Sequence, residues 1–314
     1  MKNVDVIIPC YGSAYTIRPV VEDILQNMAR MFSVRIILAN DHSPDEVWSE
    51  IKKLCKDYPN VIGINLARNF GQQSARMAAI TYVNGEYIVF MDDDGQHDSA
   101  YIPNMIEKLE EGYDIVYASF EQKKQAKWKS LGSDFHQISS EWLEEKPKGI
   151  HTSSFFVVRR YIVNELKKYP SSSPFIFGYL MKTTQNIADI SVPHKKRIQG
   201  RSGYTLMGLI RLWMNAVTSF SVVPLRCSSC LGFISAGFGM MGIVVVVARK
   251  ILHPEIAAGY TSIIAIILLF AGIMLLMVGL LGEYLGRMFM TINHVPQYVI
   301  KEVIYNCSEE QENV

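Results

Sequence analysis

The chain has 314 residues and a formal charge of +1. That length holds one large domain with an appendage, and the near-neutral charge argues against nucleic acid, whose binding calls for a concentrated basic surface. Five cysteines, odd in number and without a disulfide framework, fit a reducing compartment.

Met1-Lys2-Asn3 leads straight into a short apolar run with no signal-peptide pattern, so the first domain is expected in the cytoplasm. Apolar runs rich in Val and Ile at 4–9, 34–39, 61–66, 87–91 and 115–118 read as buried strands. Segments of helical spacing lie between them at 17–31, 45–58, 72–83 and 101–111. Such alternation predicts βαβ units and an α/β domain with a mostly parallel, Rossmann-like sheet.

Each loop after one of the first four strands carries polar chemistry. These loops hold Pro9-Cys10-Tyr11-Gly12, then Asn40-Asp41-His42-Ser43-Pro44-Asp45, then Arg68-Asn69-Phe70-Gly71 and finally Asp92-Asp93-Asp94-Gly95-Gln96. Ligands bind beyond the carboxyl ends of strands in open α/β sheets. Carboxylates clustered there offer hard oxygen ligands to Mg²⁺ or Mn²⁺, which share them with substrate phosphates. No GxGxxG follows the first strand and no GxxxxGK[ST] occurs, so dehydrogenase and P-loop chemistry lose their main support.

Beyond Pro224 the composition changes. Residues 227–248 and 259–282 are uncharged, and each run meets the roughly 20 residues needed to cross a bilayer as a helix. The short link between them, containing Pro254, predicts a hairpin with both outer ends on one side of the membrane. The expected organisation is a cytoplasmic catalytic domain at 1–203 and a juxtamembrane amphipathic helix at 204–224. The spans follow within 225–285, and a cytoplasmic tail occupies 286–314. Cys227 and Cys230 have CxxC spacing but open a membrane span with no second ligand pair, and read as small apolar residues.

Taken in order, these motifs resemble family 2 glycosyltransferases of the GT-A fold. They are most similar to the branch of dolichyl-phosphate mannose synthase and the bacterial polyprenyl-phosphate sugar transferases. Pro9-Cys10-Tyr11 stands for PCYNE, residues 40–45 for DDGSxD, residues 68–71 for RNFG and residues 92–96 for DADLQ. Arg197-Ile198-Gln199-Gly200-Arg201-Ser202 matches RxxGxS. Ser219-Phe220-Ser221 and Pro224-Leu225-Arg226 match SFSxxPLR, and Gly282-Glu283-Tyr284-Leu285-Gly286-Arg287 matches the tail of two-span members. Gly12, Asn40, His42 and Asp93 depart from the family pattern.

The resemblance implies an inverting transferase in a bacterial inner membrane. It would use a nucleotide diphosphate-sugar (a UDP-sugar by default) and a polyprenyl phosphate such as undecaprenyl phosphate. Pro9, Tyr11 and Asp41, with Asn40, would hold the nucleoside. Arg68 and Asp93 join the donor site, and Arg201 and Ser202 the loop that carries Arg197. Asp92 and Asp94 would hold Mg²⁺ or Mn²⁺ near Gln96, and Arg197 would add charge at the leaving group. Residues 166–188, where a base would stand, contain no Asp or Glu, which favours a phosphate acceptor already ionised at neutral pH. Lys123, Lys129 and Ser133 are the candidates to hold that phosphate. Membrane lipids are expected partners, and Gly237, Gly239 and Gly242 would permit helix contact in a homo-oligomer. Rival readings are a transferase acting on a lipid-linked glycan hydroxyl and a non-catalytic membrane scaffold.

Overall fold

A computed structural model describes residues 1–120, 150–169, 171–172, 174–193, 223–252 and 260–305. The chain divides into two compact units, Met1–Thr205 with His294–Val314, and Leu206–Asn293.

The first unit is built on an eight-stranded sheet. In chain order it runs β1 (Lys2–Cys10), α1 (Ile17–Met28), β2 (Phe32–Asn40), α2 (Val47–Asp57), β3 (Val61–Leu66) and α3 (Gln72–Ile80). Next come β4 (Tyr87–Phe90), α4 (Ile102–Glu110), β5 (Ile115–Phe120), β6 (Phe156–Arg159), α5 (Arg160–Leu166), α6 (Ile176–Thr183) and β7 (Ile187–Val192). The last strand, β8 (Ile300–Ile304), comes from the C-terminal segment. The order across the sheet is β7-β5-β6-β4-β1-β2-β3-β8. β1 pairs in parallel with β2 and β4, and β2 with β3, as the alternating pattern predicts.

Period-two alternation sorts the side chains of β1. Val4, Val6, Ile8 and Cys10 join one buried cluster with Val21 and Ile24 of α1, Ile51 of α2 and Met105 of α4. At the far end of β1, Asp5 is buried and accepts two bonds from Arg35, at 2.9 Å and 2.8 Å, and the backbone N–H groups of Asn84 and Gly85. A buried carboxylate survives there because it is paired and fully hydrogen-bonded. Gly85 is needed for that contact, since a Cβ would meet the backbone N of Asp5 at 2.9 Å.

Three antiparallel pairings, made by two strands, complete the otherwise parallel sheet. β6 lies between β4 and β5 and is antiparallel to both, while β8 runs antiparallel to β3 at the sheet edge. Assigned by sequence to a tail, the stretch 294–305 therefore contributes a strand. Val299 accepts the backbone N–H of Ala67 at 2.8 Å, and Gln297 Nε2 donates to the carbonyl of Tyr169 at 2.7 Å. Covering the β3 edge satisfies backbone groups that an open edge would leave unpaired.

The second unit contains α7 (Val223–Leu252) and α8 (Tyr260–Ile292). Both helices overrun the expected spans. Pro224 falls in the first turn of α7, where its missing N–H disturbs no helical bond. α8 continues through Glu283 to Ile292 because no proline interrupts it before Pro296. Among the described residues one stretch, Phe270–Ile292, is long and apolar enough to cross a membrane. Its side chains Met274, Leu275, Val278, Leu285 and Phe289 are exposed, an apolar surface that requires a cover other than water. Apart from Val223-Pro224, which open α7, the expected amphipathic helix at 204–224 lies outside the described residues.

Candidate active site

Strand order reverses at β1: the chain winds outward through β2 and β3, then returns to place β4 on the other side of β1. The carboxyl ends of β1 and β4 therefore border a topological switch point, where open α/β sheets bind ligands. Ile7 stands opposite Phe90 in the register, so the Asp cluster that follows β4 runs beside Pro9 to Tyr11. The contact is direct, because the backbone N–H of Tyr11 donates to Asp93 Oδ2 at 3.0 Å.

The loops after β2 and β3 lock together around Asp41. This carboxylate is buried and accepts the backbone N–H groups of Phe70 at 2.7 Å and Gly71 at 2.8 Å. Burial raises its pKa above the ordinary value, against the lowering effect of those two N–H bonds. Gly71 adopts φ +93, which side chains rarely allow, and so turns its N–H towards Asp41. Asn40 is buried beneath, donating to Asn65 Oδ1 at 2.8 Å and accepting the Ser43 N–H at 3.1 Å. Ser43 in turn accepts the Gly12 N–H at 2.8 Å and donates to Asp45 at 2.6 Å, tying the β1 loop to the β2 loop. With both ends of its amide engaged, Asn40 holds the loop, whereas Asp41 lies at the site wall. Tyr11 and Arg68 are exposed, Arg68 lying over the Phe70 ring at 4.6 Å, so both can meet a ligand.

Asp92 accepts three side-chain hydrogen bonds. Its Oδ1 accepts Gln72 Nε2 and Arg76 Nη2, each at 2.7 Å, and its Oδ2 accepts the Ser154 hydroxyl at 2.6 Å. His97 Nδ1 accepts the Asp92 backbone N–H at 3.0 Å, and its ring stacks on Phe155 with centroids 5.0 Å apart. Burial pushes the Asp93 carboxyl up to about 6, with the neighbouring Asp92 charge adding to the rise. Asp93 thus faces inward to the β1 loop, and Asp94 and Gln96 form the turn beyond it. Asp94 Oδ1 accepts the Gln96 N–H at 3.0 Å across Gly95, which has φ +74. Cys10 is no nucleophile, since burial above all, then the Asp93 and Asp45 charges, holds its thiol well above the ordinary range.

The structure therefore brings together Pro9, Tyr11, Asn40, Asp41, Arg68, Asp92, Asp93, Asp94 and Gln96 at one sheet edge. Arg197, Arg201, Ser202, Lys123, Lys129 and Ser133 lie outside the described residues. Sequence reading missed Arg76, Gln72, Ser154 and His97. Arg76 left a trace, as a lone charge in the otherwise small and apolar stretch Ser74-Ala75-Arg76-Met77-Ala78-Ala79-Ile80. Among the described residues no three Asp, Glu, His or Cys side chains converge as a metal site. Asp94 with Gln96 still suits a divalent ion of the kind held by one or two carboxylates and completed by phosphate oxygens.

A mostly parallel sheet with this switch point, a buried Asp after β2 and an acidic turn after β4 has the architecture of GT-A glycosyltransferases. Residues 5–167 match the model of glycosyl transferase family 2, and the chain belongs to that family, a family of enzymes. It is 29% identical over 319 residues to an undecaprenyl-phosphate 4-deoxy-4-formamido-L-arabinose transferase of Aeromonas hydrophila, covering 98% of this chain and 96% of the relative. Similarity to YkcC, an uncharacterised glycosyltransferase of Bacillus subtilis, is 28% over 300 residues, with 95% and 93% covered. Among solved structures, glucosyl-3-phosphoglycerate synthase from Mycobacterium tuberculosis shares the fold. Its complex with Mn²⁺ and UDP-glucose gives a TM-score of 0.54 at 16% identity, covering 70% of this chain and 79% of that one.

Proposed function

We propose that this protein moves a sugar from a nucleotide diphosphate-sugar, with uridine as the default nucleoside, to undecaprenyl phosphate or a similar polyprenyl phosphate, inverting the anomeric carbon. The observation that carries the acceptor is the end-to-end similarity to an undecaprenyl-phosphate sugar transferase, which extends through α7 and α8. A membrane location is supported by the exposed apolar surface of Phe270–Ile292, and in this reading α7 and α8 form a two-span hairpin.

The nucleoside would lie over Tyr11, Asp41 and Arg68. The acidic turn after β4, with Asp92, Asp94 and nearby Gln96, is the place to hold Mg²⁺ or Mn²⁺ against the diphosphate. When bound, such an ion supplies positive charge to the departing nucleoside diphosphate. The site's fixed parts are preorganised: Gly71 and Phe70 hold Asp41, and Asp93 holds the β1 loop through Tyr11. A phosphate monoester, with its second pKa near ~6, attacks without a protein base. Positioning is then the main demand, and the absence of Asp and Glu from 166–188 fits that acceptor. Arg197, Lys123, Lys129 and Ser133 remain the proposed cationic and hydroxyl contacts to the two phosphates.

The test uses the full chain in detergent with undecaprenyl phosphate, Mn²⁺ or Mg²⁺ and a panel of labelled UDP-sugars. Label is expected in a mild-acid-labile lipid, and none with Asp94→Ala. Transfer only onto a lipid-linked saccharide would overturn the phosphate-acceptor reading.

A further inference from the structure

We propose that Asp92 is not a ligand of the divalent ion but the counter-charge of the buried Arg76, leaving Asp94 and Gln96 as the protein's contribution to the cation site. The inference rests on the metal reading above and refines it. Two carboxylates spaced Asp-x-Asp at a strand end invite the assignment of both to one ion. The surroundings of Asp92 argue otherwise.

Arg76 projects from α3 and is only 4% exposed. A guanidinium cannot shed its proton, so its burial is tolerable only beside an anion. Asp92 Oδ1 lies 2.7 Å from its Nη2 and is its ion-pair partner. The other contact of Nη2 is the carbonyl of Ser154 at 3.5 Å, a marginal distance, and Nε has no hydrogen-bond partner. Drawing Asp92 towards a cation would therefore strand a buried charge.

Three of the carboxylate's roughly four acceptor sites are also already taken. Gln72 shares Oδ1 with Arg76, and Ser154 occupies Oδ2. His97 is fixed nearby, with Nε2 at 3.8 Å from Oδ2 and the ring stacked between Phe155 and Phe120. Electrostatics point the same way. Asp92 and Arg76 together form a neutral unit, and a divalent ion brought to Asp92 would meet the guanidinium at close range. The cation is then left with one protein charge, Asp94, and depends on the diphosphate for the rest. Arg76 is thus a positioning residue: it fixes Asp92 and makes the metal a passenger of the nucleotide.

The experiment is a Mn²⁺ titration of the full chain in detergent, read by electron paramagnetic resonance, with and without UDP, GDP or dTDP. Mn²⁺ should bind weakly alone and more tightly with a nucleoside diphosphate. Asp94→Asn is expected to weaken it by at least about tenfold, since affinity follows ligand charge count, and Asp92→Asn by no more than about threefold. Arg76→Met should free Asp92 and tighten Mn²⁺ by about tenfold, which damage to the fold would not do, while Arg76→Lys stays near the native value. If Asp92→Asn fails to fold, the double variant Arg76→Met with Asp92→Asn, which removes both charges together, should bind Mn²⁺ like the native chain. Loss of Mn²⁺ in Asp92→Asn or in the double variant to the level of Asp94→Asn would overturn this inference and leave the functional reading standing. A native chain that binds no Mn²⁺ with any of the three nucleotides would overturn both.

Discussion

Gly71→Ala isolates the backbone contribution to the nucleoside site. Gly71 has φ +93 and ψ 155, a region that residues with a Cβ rarely enter, and a Cβ placed there would meet no heavy atom within 4 Å. Any effect is therefore conformational and not a clash. Holding alanine in that region costs about 1–3 kcal/mol. Escape to an ordinary conformation rotates the Gly71 N–H away from Asp41 Oδ2, now 2.8 Å distant, and forfeits a charge-assisted bond worth ~1.5–3 kcal/mol. Either route gives a loss in the same range. If the loop stays in place the loss appears as stability, a fall in Tm of roughly 2–12 °C for a domain of this size. Should the loop instead relax, the loss appears in UDP affinity with Mn²⁺, at roughly 5- to 150-fold. Thermal unfolding and calorimetric titration of the same preparation separate the two. A variant with native Tm and native affinity would refute the argument that this N–H is held at a conformational cost to fix Asp41.

Three further outcomes are expected. Asp5→Ala removes a buried carboxylate bonded to Arg35, Asn84 and Gly85, and should cost about 3–5 kcal/mol by denaturant unfolding while leaving nucleotide affinity unchanged. The Asp93 carboxyl, at about 6 when folded against 3.8 otherwise, is raised, so the stability it contributes is full below about pH 4 and lost as pH rises through 6. In metal-free protein, Asp93→Asn should therefore gain up to ~3 kcal/mol over the native chain between pH 4 and 7; parallel pH profiles would contradict this. Val303→Pro removes a backbone donor from β8 opposite Ile64, and should speed amide exchange at 63–67 while 4–10 stay protected.

Much of the fold was legible because it is local. Runs such as 61–66 and 87–90 are apolar throughout, as strands covered on both faces must be, and the helical stripes of 17–28 and 102–110 repeat at the spacing that buries one side. The site's location followed too, since polar residues at the ends of parallel strands converge on one edge whatever lies between them. Strands β6, β7 and β8 were not legible. Phe156–Arg159 is a four-residue run that could continue into the following helix, and Ile300–Ile304 becomes a strand only because β3 presents an open edge to it.

Within the site, the residue types came from sequence and their roles from packing. Asp92, Asp93 and Asp94 are neighbours of identical chemistry, and nothing local to them tells one from another. Tertiary structure separates them. Arg76 and Ser154, 16 and 62 positions away, claim Asp92, the N–H of Tyr11 turns Asp93 inward, and Asp94 remains with Gln96 at the turn. Asn40 and Asp41 divide in the same way, one bonded to Asn65 beneath the loop and the other to the Phe70 and Gly71 amides at the site wall. Sequence alone determined that a sheet edge would carry acidic chemistry and that an apolar segment would follow, because composition and periodicity are properties of neighbours along the chain. Which carboxylate pairs with a buried guanidinium and which anchors a loop depends on groups brought close from distant positions, and only the folded chain fixes those distances.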